Sequence, residues 1–167
     1  MWYVIQVRTG RENIIRDTCC ALIRQGDEEV FVPESVLRKH IAGEWVDIKR
    51  PMFPGYVFFD TDDAESLYMR LKAIPTMTKV LKTGESFSPM SPAEQAVFDR
   101  ILGNERVLAM SEGIIEGDVV KVAAGPLSYL EGSIVKIDRH KKMAIIEVDF
   151  LGQKKRIKAG LEIVERI

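Results

Sequence analysis

Cysteine is almost missing from this 167-residue chain: Cys19 and Cys20 are the only two, and they are adjacent. Neighbours on a helix point about 100° apart, so the pair suits neither a disulfide framework nor a tetrahedral metal site, and both are read as packing residues. Histidine is equally scarce. His40 and His140 sit in charged segments without acidic or cysteine neighbours at ligand spacing, so no metal and no cofactor is expected. Phosphate-cradling glycine loops and nucleophile elbows are missing too, and the carboxylates are scattered among surface charges; the chain does not read as an enzyme. Apolar runs fall far short of a membrane span. No basic region followed by an apolar signal segment precedes the strand-like pattern at Trp2, so the expectation is a cytoplasmic protein without membrane contact. Net charge is also small, with 24 basic residues against 25 acidic ones, which excludes bulk attraction to nucleic acid as an argument.

What is present is an ordinary globular balance, 46% apolar and 29% charged, enough for one domain or two small ones. The charge is unevenly placed. Residues 136–158 hold eight basic residues and three acidic ones, whereas residues 1–110 hold 14 basic and 16 acidic. This is a local basic patch on a nearly neutral chain, open to two readings: an ordinary solvated face, or phosphate contact with nucleic acid.

Along the chain, Trp2–Val7 predicts a strand, and Thr9-Gly10-Arg11-Glu12 has the form of a capping box opening a helix to about Gln25, with Gly26 as its stop. Ile15, Cys19, Leu22 and Ile23 form its apolar stripe. Strands are expected at Glu29–Val32, Trp45–Lys49 and Gly55–Phe59, the last central because both its faces are apolar. A helix opened by Asp62-Asp63-Ala64-Glu65 must end before Pro75, and Lys79–Leu81 reads as a short strand. Ser91-Pro92-Ala93-Glu94 is the clearest helix start in the chain, combining a serine cap, a first-turn proline and a glutamate three residues on. Trp45 is assigned to the core, as Trp is buried on average. These elements predict an α+β domain, an antiparallel sheet flanked by helices, over residues 1–104. A flexible linker is expected at 105–114 and an all-β domain at 115–167.

The all-β part carries the most informative pattern. Glu116-Gly117-Asp118-Val119-Val120-Lys121-Val122 and Gly132-Ser133-Ile134-Val135-Lys136-Ile137-Asp138 are alternating runs separated by Gly125-Pro126, as in the opening of a small barrel. Ala144, Ile146, Val148 and Phe150 alternate with Ile145, Glu147 and Asp149. The same period puts Lys154, Arg156 and Lys158 on one face of the next strand, and a last strand at Leu161–Val164 would close the barrel.

This second half resembles the KOW module, an SH3-like barrel. Together with Trp2-Tyr3-Val4-Ile5-Gln6-Val7, Val32-Pro33 and Phe53-Pro54-Gly55-Tyr56-Val57 upstream, nearly the whole chain resembles the NusG family of transcription elongation factors. The resemblance implies that Phe53 and Tyr56, with Tyr3 and Pro54 beside them, dock on the clamp helices of the largest RNA polymerase subunit, and that the chain suppresses pausing as a monomer. Many relatives have two aromatics before the Pro-Gly, where this chain has Met52 and Phe53. For nucleic acid, the candidates are Lys154, Arg156 and Lys158 on the barrel and Arg38, Lys39, Lys49 and Arg50 around a hairpin-like excursion at Ile41–Ile48, with a nascent RNA hairpin or non-template DNA as the ligand.

In relatives an aromatic at the turn after the third barrel strand holds a termination factor or a ribosomal protein. Here that turn reads Phe150-Leu151-Gly152, and the departure points to a specialised antitermination paralogue resembling the LoaP group. Alternatives are a general NusG-like factor without target specificity and a KOW-containing ribosome- or RNA-binding protein. A KOW domain that switches to helix is disfavoured by its β-branched residues and glycines.

Overall fold

A computed structural model describes residues 1–81 and 87–167 of the chain. They form two compact units, Met1–Val32 with Phe53–Ala96, and Pro33–Met52 with Val97–Ile167.

The first unit is built on a four-stranded sheet of β1 (Trp2–Gln6), β2 (Glu29–Phe31), β5 (Tyr56–Asp60) and β6 (Ser88–Pro89) in the order β2-β5-β1-β6. All three pairings are antiparallel. β5 is thus internal, as its two apolar faces require. Ile5, Val57 and Phe59 face a core completed by Ile15 and Cys19 of α1 (Glu12–Cys20), Leu67 and Leu71 of α2 (Ala64–Lys72) and Met77 of α3 (Pro75–Thr78). The other sheet face carries an aromatic cluster in which Trp2 meets Phe31 edge-on at 5.0 Å and Phe53 lies 5.8 Å from Phe58. Burial pushes the Cys19 thiol up to about 12, with its neighbour Cys20 adding to the effect, as suits a packing residue.

Helix α1 stops at Cys20, well before the expected Gln25. Side chains have claimed the backbone groups that would prolong it: the Leu22 carbonyl accepts from Arg70 Nη1 at 2.5 Å, and the Arg24 amide donates to Glu28 Oε1 at 2.8 Å. The Thr9 capping box is likewise not formed, because Arg11 occupies the cap position and Glu12 itself begins the helix. Lys79–Leu81 is no strand. Pro75 favours a helical first turn, and the Val80 and Leu81 amides both fold back on the Met77 carbonyl. The helix start at Ser91 is as read: in α4 (Pro92–Leu102) the Glu94 amide donates to Ser91 Oγ and the Ser91 amide to Glu94 Oε1, both at 3.2 Å.

The second unit holds two sheets. β3 (Glu34–Ile41) and β4 (Glu44–Pro51) form one long hairpin, and β7 (Val107–Leu108) adds to β3 in parallel. The remaining strands are β8 (Ser111–Glu116), β9 (Val119–Ala124), β10 (Ile134–Asp138), β11 (Met143–Phe150) and β12 (Gln153–Arg166), ordered β10-β11-β12-β8-β9. The segment 105–114, expected as a linker, therefore contains β7 and the first part of β8. β12 absorbs the expected separate closing strand: its first half pairs with β11 antiparallel and its second half with β8 in parallel. Ala144, Ile146, Val148 and Phe150 are buried in alternation as read, facing Ile157, Ala159 and Leu161.

Gly125 shows why the Gly-Pro signal is where it is. Its φ is +98°, and an added Cβ would lie 2.6 Å from Ser111 Oγ and 2.7 Å from Ser111 Cα. That hydroxyl is buried and accepts the Leu127 amide at 3.0 Å, fixing the 3-10 turn Pro126–Tyr129. Gly125→Ala combines backbone strain with a clash against backbone, so it is expected to cost about 2–4 kcal/mol. Urea unfolding of the variant tests this; an unchanged midpoint would contradict it.

Candidate functional site

The Phe53-Pro54-Gly55-Tyr56 turn is held by a buried carboxylate. Glu12, 3% exposed, accepts the Gly55 amide on Oε2 at 3.0 Å and the Gly10 amide on Oε1 at 2.6 Å. Gly55 lies at φ +87°, with its would-be Cβ 3.2 Å from the Val7 carbonyl, while its own carbonyl accepts the Val7 amide at 2.8 Å. The start of α1, the end of β1 and the turn are therefore locked together, and the turn presents an exposed Pro54 beside a half-buried Tyr56.

The four residues expected as one docking patch do not gather. Phe53 is 1% exposed, so its ring is core rather than contact surface. Tyr3 is on the opposite side of the sheet from Tyr56. Side chains alternate along a strand, and Tyr3 pairs with Phe59 whereas Tyr56 pairs with Gln6. The Tyr3 ring packs 4.9 Å from Phe87 on the face of the α1 core. Of the four, Pro54 is exposed and Tyr56 half-buried, and an exposed Gln6 stands opposite Tyr56 in the β1–β5 register.

The basic candidates are also divided. Lys154 and Arg156 stand directly across from Asp149 and Glu147 in the β11–β12 register and pair with them, at 2.7 and 3.3 Å. The hydrogen bond that the Lys154 ammonium donates to Asp149 holds the Lys154 pKa above its ordinary value. Lys158, opposite Ile145, has no acidic partner among the described residues. On the β3–β4 hairpin, Arg38 Nε donates to Asp47 at 2.7 Å and Arg38 Nη1 to Glu162 of β12. Glu162 also accepts Lys142 Nζ at 2.8 Å, which lies 4.7 Å over the Trp45 ring. Hydrogen bonding to Lys142 first, then the charges of Arg38 and Lys142, holds the Glu162 carboxyl below its usual range.

Arg38 is therefore a structural tie between hairpin and β12. Lys39, Lys49 and Arg50 are exposed. By alternation, Lys39 and Arg50 share one hairpin face and Lys49 the other. Trp45, assigned to the core, is 44% exposed, with Lys142 Nζ over its ring and the His40 ring tilted against it at 5.1 Å. At the β11–β12 turn Phe150 is buried, whereas Leu151 is half-exposed at φ +50°.

The family model described as transcription termination factor nusG matches residues 1–99, the stretch that contains β1, the buried glutamate and the Pro54–Tyr56 turn. The chain belongs to the NusG family. Transcription termination/antitermination proteins NusG are similar over nearly its whole length. That of Haemophilus influenzae is 25% identical, covering 99% of this chain and 94% of its own; that of Helicobacter pylori J99 is 23% identical, covering 99% and 98%. A Lactococcus lactis NusG is 22% identical over 99% of this chain and 92% of its own length. Among solved structures, one described as domain interaction in Thermotoga maritima NusG shares the fold, with a TM-score of 0.50 and 18% identity over 95% of this chain and 92% of that one. The architecture is that of NusG: an α+β N-terminal part and a β-rich C-terminal region of KOW type. Among the described residues, no helix is long and apolar enough to cross a membrane.

Proposed function

We propose that this chain is a non-catalytic transcription elongation and antitermination factor that binds RNA polymerase through the Pro54–Tyr56 turn of its N-terminal domain, 1–104. The observation that carries the reading is that the NusG family match covers a turn whose backbone is fixed by a buried carboxylate from α1. A proline and an aromatic on a rigid turn lose little conformational freedom on docking, which suits an anchor for the polymerase clamp helices. Phe53 supports the turn from beneath, and Tyr3 is left out of the contact.

Suppression of pausing follows as a population shift. A factor that binds the elongating polymerase tenfold better than the paused one favours elongation by about 1.4 kcal/mol. The KOW domain, 115–167, is the recruiting part. Nascent RNA is its proposed ligand, with Lys158 on β12 as a cation not neutralised by a carboxylate. Leu151, half-exposed at the β11–β12 turn in place of an aromatic, supports a specialised factor over one that holds a termination factor or ribosomal protein there.

The test is capture of purified core RNA polymerase by the immobilised chain. Joint replacement of Pro54 and Tyr56 by alanine is expected to weaken capture at least about tenfold, the loss of one interface anchor, whereas Tyr3→Ala changes it little. Failure of the parent chain to capture polymerase defeats the reading.

A further inference from the structure

The structure carries an open hollow of about 380 Å³ in the second unit, bounded by Arg139, Lys142, Ile163, Val164, Glu165 and Arg166. We propose that it is a phosphate-binding site for a nucleic-acid backbone. Arg139 opens the β10–β11 turn and Arg166 ends β12, so two arginines from separate elements converge on one concavity.

The two arginines of the hollow differ from the paired cations of this unit in how their charge is committed. Lys154, Arg156 and Arg38 each hold a carboxylate. Arg139 and Arg166 have no ion-pair partner among the described residues, and Lys142 is immobilised by Glu162 and Trp45 with its charge at the wall. Two arginines unpaired among the described residues thus line the hollow with Glu165, beside a Lys142 whose charge is already met by Glu162. Guanidinium groups present paired donors that match phosphate oxygens. Ile163 and Val164 complete the lining between the charged side chains.

The volume lies at the small end of ligand pockets, which span roughly 300–1,000 Å³. It suits one phosphate with part of its sugar rather than a whole cofactor. A polymer that threads past it can continue along the exposed Lys141 of the same turn. Choosing nucleic acid as the source of the phosphate rests on the proposed function, because a factor carried by polymerase travels beside a phosphate backbone.

The experiment uses the full chain, with binding of a short RNA stem–loop of arbitrary sequence measured at several salt concentrations. Arg139→Ala/Arg166→Ala is expected to weaken binding about tenfold or more. It should also reduce the slope of log affinity against log salt by about 1.4–1.8, the value for two lost phosphate contacts. Arg139→Lys/Arg166→Lys keeps the charge and should retain most of the slope, which a folding defect would not allow. Unchanged affinity and slope in the alanine pair overturns the site, as does a parent chain that does not bind the RNA. Two further outcomes overturn the assignment to nucleic acid: competition by millimolar inorganic phosphate without RNA binding, and preference for polyglutamate over RNA. Polymerase capture by the same variants is expected to match the parent. Its failure in the parent would strike the proposed function and leave the RNA result standing.

Discussion

Arg70→Met is expected to destabilise the first unit by about 3–5 kcal/mol, the cost of stranding a buried charge. The Glu28 side chain is 3% exposed and accepts Arg70 through both oxygens, at 2.8 and 2.9 Å, together with Thr61 Oγ1 at 2.6 Å. The Arg70 hydrogen bonds are the main reason its carboxyl is held at about 2 instead of 4.5. Folding therefore favours the ionised form. This contribution, about 3 kcal/mol by the size of the shift, is complete above pH 4.5 and is lost as pH falls through 2. Arg70→Met should move the acid transition upward. Glu28→Leu/Arg70→Met, which removes both charges, should recover much of the loss. Trp2 is in the first unit and Trp45 in the second; Trp45→Phe leaves Trp2 fluorescence to report on the first unit alone. An alanine-like cost below about 1 kcal/mol for Arg70→Met, the range of a surface pair, would show that the bridge is ordinary surface pairing.

Glu12→Ala is expected to weaken polymerase capture about 10- to 100-fold although Glu12 itself is buried. Removing the carboxylate leaves the Gly55 and Gly10 amides without their acceptor, at a cost of about 1–3 kcal/mol per stranded group, and the turn is no longer held in one conformation. The effect is carried by Pro54 and Tyr56, so it should shrink sharply in a background where both are already alanine, as expected for coupled sites. Full additivity, or a Glu12→Ala protein that captures polymerase like the parent, would show that the turn needs no such support.

Local signals were the legible ones. Ser91 and Glu94 cap α4 reciprocally, and the alternation of β11 needs only neighbouring residues to be read. Gly125-Pro126 marks a turn by its own conformational demands. Contacts between distant segments were not legible: Glu12 and Gly55 are 43 residues apart, and no pattern in either segment links them. The burial of Phe53 and the exposure of Trp45 fall in the same class, since strand composition does not say what covers a ring. Two errors had a signal that could have been used. Alternation alone separates Tyr3 from Trp2 and Val4 and sets its face. A two-residue turn at Leu151-Gly152 fixes the register that pairs Asp149 with Lys154 and Glu147 with Arg156, so the neutralised cations were readable from the hairpin.

The proposed Pro54–Tyr56 contact with RNA polymerase would bias it toward elongation. The most direct measurement of this is the lifetime of a defined pause in a purified transcription reaction, with and without the protein. The account predicts shorter pauses and more read-through with the parent chain, and neither effect with the Pro54→Ala/Tyr56→Ala form at the same concentration. Pause lifetimes that are unchanged by the parent chain, or shortened equally by the double variant, would contradict it.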